Sequence, residues 1–204
     1  MAMTFRQTYG FVDRRLRELL ASPTDGPVKA ALAELRRGVG RIPGDQPELW
    51  GILFRELPED ALSRDGTPTA AEWAIYASLT LFALHQQSRD IHSEPMTRQG
   101  QSLGRAVRRL VPAGDSDAQE RVLRRFNAMA TSGDMAELTY HLRGIVQLLR
   151  GAGIPLDYPA LAYDLHRYQT PGLAPEVRLS WGQDFYRIWE EDNKEKDGKD
   201  EQND

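Results

Sequence analysis

Hydrophobic residues recur along most of this chain at intervals of three and four, the spacing that brings them to one face of an α-helix. No stretch of strand length alternates apolar with polar residues. The pattern therefore predicts an all-α protein with about nine helices in a compact bundle. Their approximate limits are residues 5–21, 27–38, 47–57, 69–87, 102–111, 116–130, 134–150, 158–168 and 175–190.

Helix-capping signals support several of these limits. Thr69 and Glu72 have the spacing of a capping box, in which two side chains satisfy two free backbone N–H groups reciprocally. Ser116 and Gln119 repeat that spacing at the predicted start of the sixth helix. Asp134 is the predicted cap of the seventh helix, which the glycines at 151 and 153 should end.

The fourth predicted helix contains the longest apolar run of the chain, "WAIYASLTLFAL", from Trp73 to Leu84. Twelve residues are too few to cross a bilayer, which takes about 20. A helix that is hydrophobic on every side is instead typical of the centre of a globular core. We therefore expect the other helices to surround this one, and we expect no membrane partner.

Composition divides the chain into a globular body and a tail. Residues 1–189 form the predicted helical domain, and residues 190–204 are charged and poor in hydrophobic residues, as in disordered segments. Inside the body, the polar segment 88–101 is predicted to be a flexible loop. A division into two helical lobes is predicted near residues 89–101.

The net charge of −4 conceals a different balance within the body. The last fifteen residues contain eight acidic and three basic side chains, whereas residues 1–189 contain 23 basic and 22 acidic ones. Between Arg98 and Arg150 nine arginines stand against five acids. The acidic tail therefore masks a locally basic region.

Catalytic and metal-binding signatures are missing from the sequence. The chain has no cysteine, which excludes disulfides and thiolate zinc sites and fits a reducing, cytoplasmic setting. No two histidines have the i, i+4 spacing of a helical metal site. The segment "RRGVGRIPG" lacks the Lys and Ser/Thr that a phosphate-binding loop requires. We therefore predict no catalytic residue, no metal site and no cofactor.

The informative pattern is the spacing of arginines on two predicted helices. "RAVRRL" and "RVLRRF" both place arginines at i, i+3 and i+4, within about 100° of the helix circumference, with hydrophobic residues opposite. Solvated helix faces usually mix both signs of charge, because like charges at this spacing repel. The rows therefore favour a polyanionic partner, although a solvated or internally paired basic face remains the alternative. The residues are Arg105, Arg108 and Arg109, then Arg121, Arg124 and Arg125.

Arg36, Arg37 and Arg41 form a third basic group at the predicted end of the second helix, and Arg143 lies on the seventh. The guanidinium fork can donate two hydrogen bonds to one phosphate. No helix-turn-helix, homeodomain or zinc-finger pattern accompanies these arginines. Exposed aromatic residues among the cations would indicate a base-stacking surface, but most of the aromatic residues here fall at core spacing. They are Phe126, Tyr140, Tyr158, Tyr163, Trp181, Phe185 and Trp189. The pattern therefore predicts contact with a nucleic-acid backbone without base recognition.

Six segments together resemble, in order, the CasB family, the small subunit of the type I-E CRISPR surveillance complex Cascade. They are "LRRGVGRIPGD", "QSLGRAVRRL", "ERVLRRFNAM", "ELTYHLRGIVQLLR", "LDYPALAYDL" and "WGQDFYRIW". The resemblance extends from about residue 5 to residue 189. It implies a non-enzymatic, all-α protein with two lobes, of which two copies associate head to tail along the complex.

The resemblance also implies partners and binding residues. The partners would be the backbone and large subunits of Cascade and the displaced, non-target DNA strand, with the crRNA and the target strand nearby. Holding that strand would stabilise the R-loop. Motif matching assigns this role to Arg36, Arg37, Arg105 and Arg143, whereas the other six arginines rest on the helix-face argument.

Three other functions remain open on the sequence alone. The arginines of a pure scaffold subunit would bind acidic protein surfaces. A helical enzyme would need a pocket that no motif reveals, and a regulator of duplex DNA would prefer double strands to single strands.

Overall fold

The protein is all-α in residues 3–22 and 25–187, which are the residues that the computed structural model describes. These ranges contain nine α-helices and two 3₁₀ turns, at Pro47–Leu49 and Glu59–Ala61. The helices are α1 (Phe5–Leu20), α2 (Asp25–Arg37), α3 (Trp50–Leu53), α4 (Ala70–His85), α5 (Leu103–Arg108), α6 (Ser116–Ala130), α7 (Met135–Ala152), α8 (Tyr158–Tyr168) and α9 (Ala174–Tyr186).

Helix α4 is the centre of the structure, as its apolar sequence predicts. All but two of its residues are buried, and helices α1, α2, α7 and α8 pack around it. Within the described part of the chain, no helix combines the length and hydropathy needed to cross a membrane. The uniformly apolar run of α4 therefore belongs to a protein core.

Capping interactions confirm two predicted helix caps and correct a third, although all three helices begin where they are predicted to. The Thr69 hydroxyl accepts the Glu72 N–H at 3.1 Å, and the Glu72 carboxylate accepts the Thr69 N–H at 2.7 Å. Asp134 caps α7, and Gly153 ends it in the left-handed conformation. At α6, however, the cap is Asp115, whose carboxylate accepts the Ala118 N–H. The predicted Ser116–Gln119 box does not form.

Two predicted helices are shorter in the structure. The segment predicted to be helical from 47 to 57 contains a 3₁₀ turn and the four-residue α3, and it cannot continue because Glu56 adopts a left-handed backbone (φ 60°). Helix α5 ends at Arg108 rather than near residue 111, because the next N–H groups turn back to carbonyls three residues earlier. Arg109 therefore lies in the C-cap, outside the helix.

Helices α5 and α9 approach closely at Gly104. A Cβ at this position would lie 2.2 Å from the carbonyl oxygen of Trp181, 2.8 Å from Cβ of Asp184 and 3.0 Å from the backbone nitrogen of Phe185. Only glycine leaves room for the backbone of α9 at this distance. The glycine of the "SLGRA" motif therefore determines how α5 sits on α9.

Segment 88–101 is anchored to the rest of the protein, which does not fit the flexible loop that its composition suggests. The Gln86 amide binds the Glu94 carbonyl and the Met96 N–H, and backbone hydrogen bonds tie Arg98 and Met96 to Leu156. The division into two lobes near residues 89–101 remains a prediction. The predicted tail, 190–204, lies outside the described residues.

Candidate nucleic-acid interface

Two groups of arginines in this protein differ in what their guanidinium groups contact. Arg14, Arg15, Arg17, Arg55, Arg89 and Arg167 form ion pairs with carboxylates. Eight of the ten predicted binding arginines have neither a carboxylate within 4 Å nor a guanidinium hydrogen bond among residues 3–22 and 25–187. These eight are Arg36, Arg37, Arg41, Arg109, Arg121, Arg124, Arg125 and Arg143.

Two arginines lie where α2 ends over the central helix. Arg36 is half-buried and Arg37 is exposed, and the chain turns at Gly38. A Cβ on Gly38 would come within 3 Å of side-chain atoms of three residues, one of which is Tyr76 on α4. The Tyr76 hydroxyl donates a 2.8 Å hydrogen bond to the Gly38 carbonyl. The end of α2 is therefore held against α4 by a buried hydrogen bond.

The structure brings Arg41 together with Arg143, which is a hundred residues away in sequence. Gly40 has a left-handed backbone (φ 79°), and Nη1 of Arg143 would lie 3.9 Å from a Cβ at Gly40. Arg41 and Thr139 of α7 line one crevice. Both arginines are exposed. We call Arg36, Arg37, Arg41 and Arg143 the α2–α7 patch.

Charged residues at this patch affect the pKa of Tyr76. Burial is the main reason that its pKa rises to about 12, and the negative charge of Asp45 raises the pKa further. The positive charge of Arg41 acts in the opposite direction. Asp45 also accepts the Ile42 N–H at 3.2 Å, so this carboxylate orders the turn rather than pairing with Arg41.

Helix α6 presents the predicted row of arginines to solvent. Arg121, Arg124 and Arg125 are exposed, while Phe126 and Met129 on the opposite face are buried. The acids of the same helix, Asp117 and Glu120, are also exposed and form no ion pair with these arginines. We call these three arginines the α6 row.

The row predicted on the fifth helix is only partly present. Arg105 and Arg108 are half-buried, and Arg109 is exposed in the C-cap. The Arg108 guanidinium donates to the Val111 carbonyl at 3.3 Å. Because α5 ends early and packs on α9, these three arginines do not form one continuous helical face. Helix α6 packs on α7 instead, which is the helix that carries Arg143 of the α2–α7 patch.

Tyr140 is the exposed exception among the aromatic residues named above, most of which are predicted to be core residues. Phe126, Tyr158, Trp181 and Phe185 are buried and Tyr163 is half-buried, but Tyr140 is 71% exposed. Trp189 lies outside the described residues. The position of Tyr140 on α7 is the sequence feature that indicates its exposure. Tyr140 is two residues before the buried Leu142 and three before the exposed Arg143, on the polar face of the helix.

The buried titratable groups join helices together. His85 contacts the Tyr158 hydroxyl at 2.9 Å, and burial is the main reason that its pKa falls to about 4. Burial likewise raises the pKa of Asp164 to about 6, although the Trp181 indole N–H donates to this carboxylate at 2.7 Å. The described residues contain no group of three or more His, Asp or Glu side chains that could hold a metal ion. These contacts connect α4 with α8 and α8 with α9, as structural hydrogen bonds do.

A sequence profile of one family matches most of this chain. The family is described as CRISPR-associated protein Cse2, and the match covers residues 31–186. The chain belongs to the Cse2 family. All ten predicted arginines of this Cse2 protein lie inside the matched range, and the acidic tail lies outside it.

Solved structures named CasB resemble this Cse2 protein and confirm the resemblance found in the sequence. CasB from Thermobifida fusca is 36% identical, with a TM-score of 0.73 over 91% of this chain and 100% of that one. CasB from M. ruber is 25% identical, with a TM-score of 0.61 over 91% of this chain and 94% of that one. Among curated proteins, none matches this sequence.

Proposed function

We propose that this Cse2 protein is the non-catalytic small subunit of a cytoplasmic type I-E Cascade complex, and that it binds the backbone of the displaced DNA strand. Membership of the Cse2 family supports the CRISPR complex. The observation that carries the binding role is the set of eight arginines without a carboxylate partner among the described residues. Unneutralised guanidinium groups on one region of a surface favour phosphate.

The energetics of strand exchange explain why binding the phosphates of the displaced strand is useful. The guide–target heteroduplex replaces a DNA duplex of similar stability, so R-loop formation is close to balance. A few kcal/mol of phosphate contact to the displaced strand is therefore enough to shift the equilibrium. The crRNA and the target strand would lie close to the same subunit. In this proposal two copies associate head to tail and contact the backbone and large subunits.

Salt dependence of binding tests the proposal directly. With about six contacts to single-stranded phosphates, the logarithm of the affinity should fall with a slope on the order of −4 against the logarithm of salt concentration. Fluorescence anisotropy of labelled single-stranded DNA with the full chain measures this slope. A slope near zero would contradict phosphate binding.

A matched pair of double variants locates the contacts. Replacing Arg41 and Arg143 by Ala should weaken binding and reduce the salt slope by about 1.4, because two phosphate contacts are lost. The control replaces Arg17 and Arg55, which are exposed but paired with Asp13 and Glu18. It removes the same charge and should leave the slope unchanged. Equal effects of the two variants would mean that binding depends on net charge alone.

A second candidate function is a scaffold whose arginines bind acidic surfaces of partner proteins. The observation in its favour is the exposed apolar surface of α9, where Leu179 and Tyr186 are 62% and 66% exposed. Gel filtration of the reconstituted complex separates the two functions. If the Arg41/Arg143 variant assembles normally but retains the displaced strand poorly, the arginines bind DNA. If it fails to assemble while binding free single strands normally, the scaffold function is correct.

A further inference from the structure

Tyr140 is a large aromatic side chain that the fold does not use. Its ring is 71% exposed on α7 and has one aromatic neighbour, His141, in an edge-on contact with centroids 5.3 Å apart. Within the part of the chain that the structure describes, no hydrogen bond of its hydroxyl group is present. Most of the surface of this residue is therefore in solvent. Its apolar faces are available to a partner.

The surroundings of this ring are cationic. Arg143 lies one helical turn further along α7, a spacing that brings side chains within about 5–6 Å at Cβ. The residue before the tyrosine, Thr139, lines the crevice that also contains Gly40 and Arg41. Tyr140 therefore lies at the edge of the α2–α7 patch, one turn from Arg143 and next in sequence to a residue that shares a crevice with Arg41. Neither arginine has a carboxylate partner among the described residues.

The positions one turn before and after Tyr140 leave room beside the ring. Ala136 and Gly144, four residues to either side, carry a methyl group and no side chain. A Cβ on Gly144 would meet nothing within 4 Å. The nearest acid on this face, Glu137, accepts the Gly133 N–H at 2.7 Å and lies 3.9 Å from Nε2 of His141. That carboxylate is engaged at the start of the helix.

We propose that Tyr140 stacks against an unpaired base of the single strand whose phosphates contact Arg41 and Arg143. This inference rests on the proposed function and adds a base contact to a surface that the sequence predicts to bind only backbone. Base–aromatic stacking within a positively charged groove is the common arrangement for single-strand binding without sequence preference. Paired bases of a duplex keep their faces covered, so the same residue favours single strands over double strands.

The chemistry around Tyr140 favours a nucleic acid over a protein partner. Its neighbours along α7 are polar or small, namely Glu137, His141, Arg143, Ala136 and Gly144, whereas a protein-binding aromatic usually belongs to a wider apolar patch. The other strongly exposed tyrosine, Tyr186, shares α9 with the exposed Leu179. Tyr186 therefore serves as a control that is matched in residue type and exposure but lies outside the patch.

The experiment compares two ligands that differ only in their bases. One is a fluorescein-labelled oligothymidylate of about 20 nucleotides, and the other is an abasic deoxyribose-phosphate strand of equal length, both titrated with the full chain at about 50 mM salt. We expect Tyr140→Ala to weaken binding of oligothymidylate by about 5- to 150-fold, the range that stacking of one base covers, and to leave abasic binding unchanged. Tyr140→Phe should restore binding, and Tyr186→Ala should change neither ligand.

The possible outcomes separate this inference from the proposed function. A selective loss of oligothymidylate binding in Tyr140→Ala supports stacking. If Tyr140→Ala loses affinity equally for both ligands, or loses none, stacking is overturned. Phosphate binding still stands in that case, provided that the Arg41/Arg143 variant weakens the binding of both ligands. If the wild-type chain binds neither ligand, the proposed single-strand binding fails and the stacking role fails with it.

Discussion

Replacing Gly104 by Ala is the sharpest test of the α5–α9 packing. The added methyl would lie 2.2 Å from the Trp181 carbonyl oxygen, more than about 1 Å inside an ordinary contact. Two more atoms of α9 lie within 3.0 Å, and two of the three obstructing atoms belong to the backbone. A rotamer change cannot relieve this overlap, so the two helices must separate.

The expected cost lies at the upper end of that measured for overpacked cores. Overpacking costs typically 1–3 kcal/mol, and we expect about 3 kcal/mol here because backbone must move. For a chain of this length that loss lowers the melting temperature by roughly 6–12 °C. Urea denaturation and thermal unfolding, both followed by circular dichroism, measure the two quantities.

Gly182 provides the matched control on α9 itself. A Cβ at this position would meet nothing within 4 Å, so Gly182→Ala should stabilise the protein by about 0.5–1 kcal/mol through helix propensity alone. A Gly104→Ala protein as stable as the wild type would refute the close approach of α5 and α9. Equal destabilisation by both substitutions would mean that the space around each glycine does not determine the effect of an added methyl group.

Three further predictions concern buried polar groups. The pKa of His85 is about 4 in the folded protein and 6.5 when unfolded, so the unfolded state binds the proton first and about 3 kcal/mol of stability should be lost as pH falls from 6.5 towards 4. Urea midpoints of the wild type and His85→Gln across this pH range measure the loss, and equal pH profiles of the two proteins would contradict the prediction. The pKa of Asp164 is raised from 3.8 to about 6, so its ionisation costs stability as pH rises through 6. Asp164→Asn, which can still accept the Trp181 N–H, should therefore be more stable than the wild type by about 1–3 kcal/mol at pH 8 and equally stable below pH 4. A variant less stable than the wild type at pH 8 would show that the charge is needed. Tyr76→Phe removes the hydrogen bond to Gly38 and should cost about 1–2 kcal/mol in urea denaturation, and an unchanged midpoint would mean that this bond does not hold the end of α2.

The sequence was sufficient for elements whose signals are local. Helix α4 has both a continuous apolar run and a capping box at Thr69, and the structure confirms both. The segment predicted as the third helix has the right hydrophobic spacing, but Glu56 adopts a left-handed backbone that periodicity does not reveal. Helix α5 stops early because its packing on α9 and the turn before Pro112 outweigh its propensity.

The candidate interface depended on contacts that one sequence cannot show. Spacing was enough to predict that Arg121, Arg124 and Arg125 share an exposed face, because a single helix carries them all. The approach of Arg143 to Gly40 brings α7 to the turn after α2, two regions that are far apart along the chain, and only the tertiary structure places them together. Tyr140 was missed because aromatic residues are usually buried, although its neighbours on α7 mark the polar face.

The separation of paired and unpaired arginines has a consequence for how this protein can change over evolution. The arginines that form ion pairs stabilise single elements, as Arg17 does in α1, or join two, as Arg167 joins α8 to α9. Those of the α2–α7 patch and the α6 row contact no carboxylate in the described chain. Substitutions in the second set therefore remove no ion pair between described residues. We expect that substitutions at these positions can change the affinity of this surface for its ligand with little effect on folding. Homologues with quite different charge at these positions can therefore share the same helical scaffold.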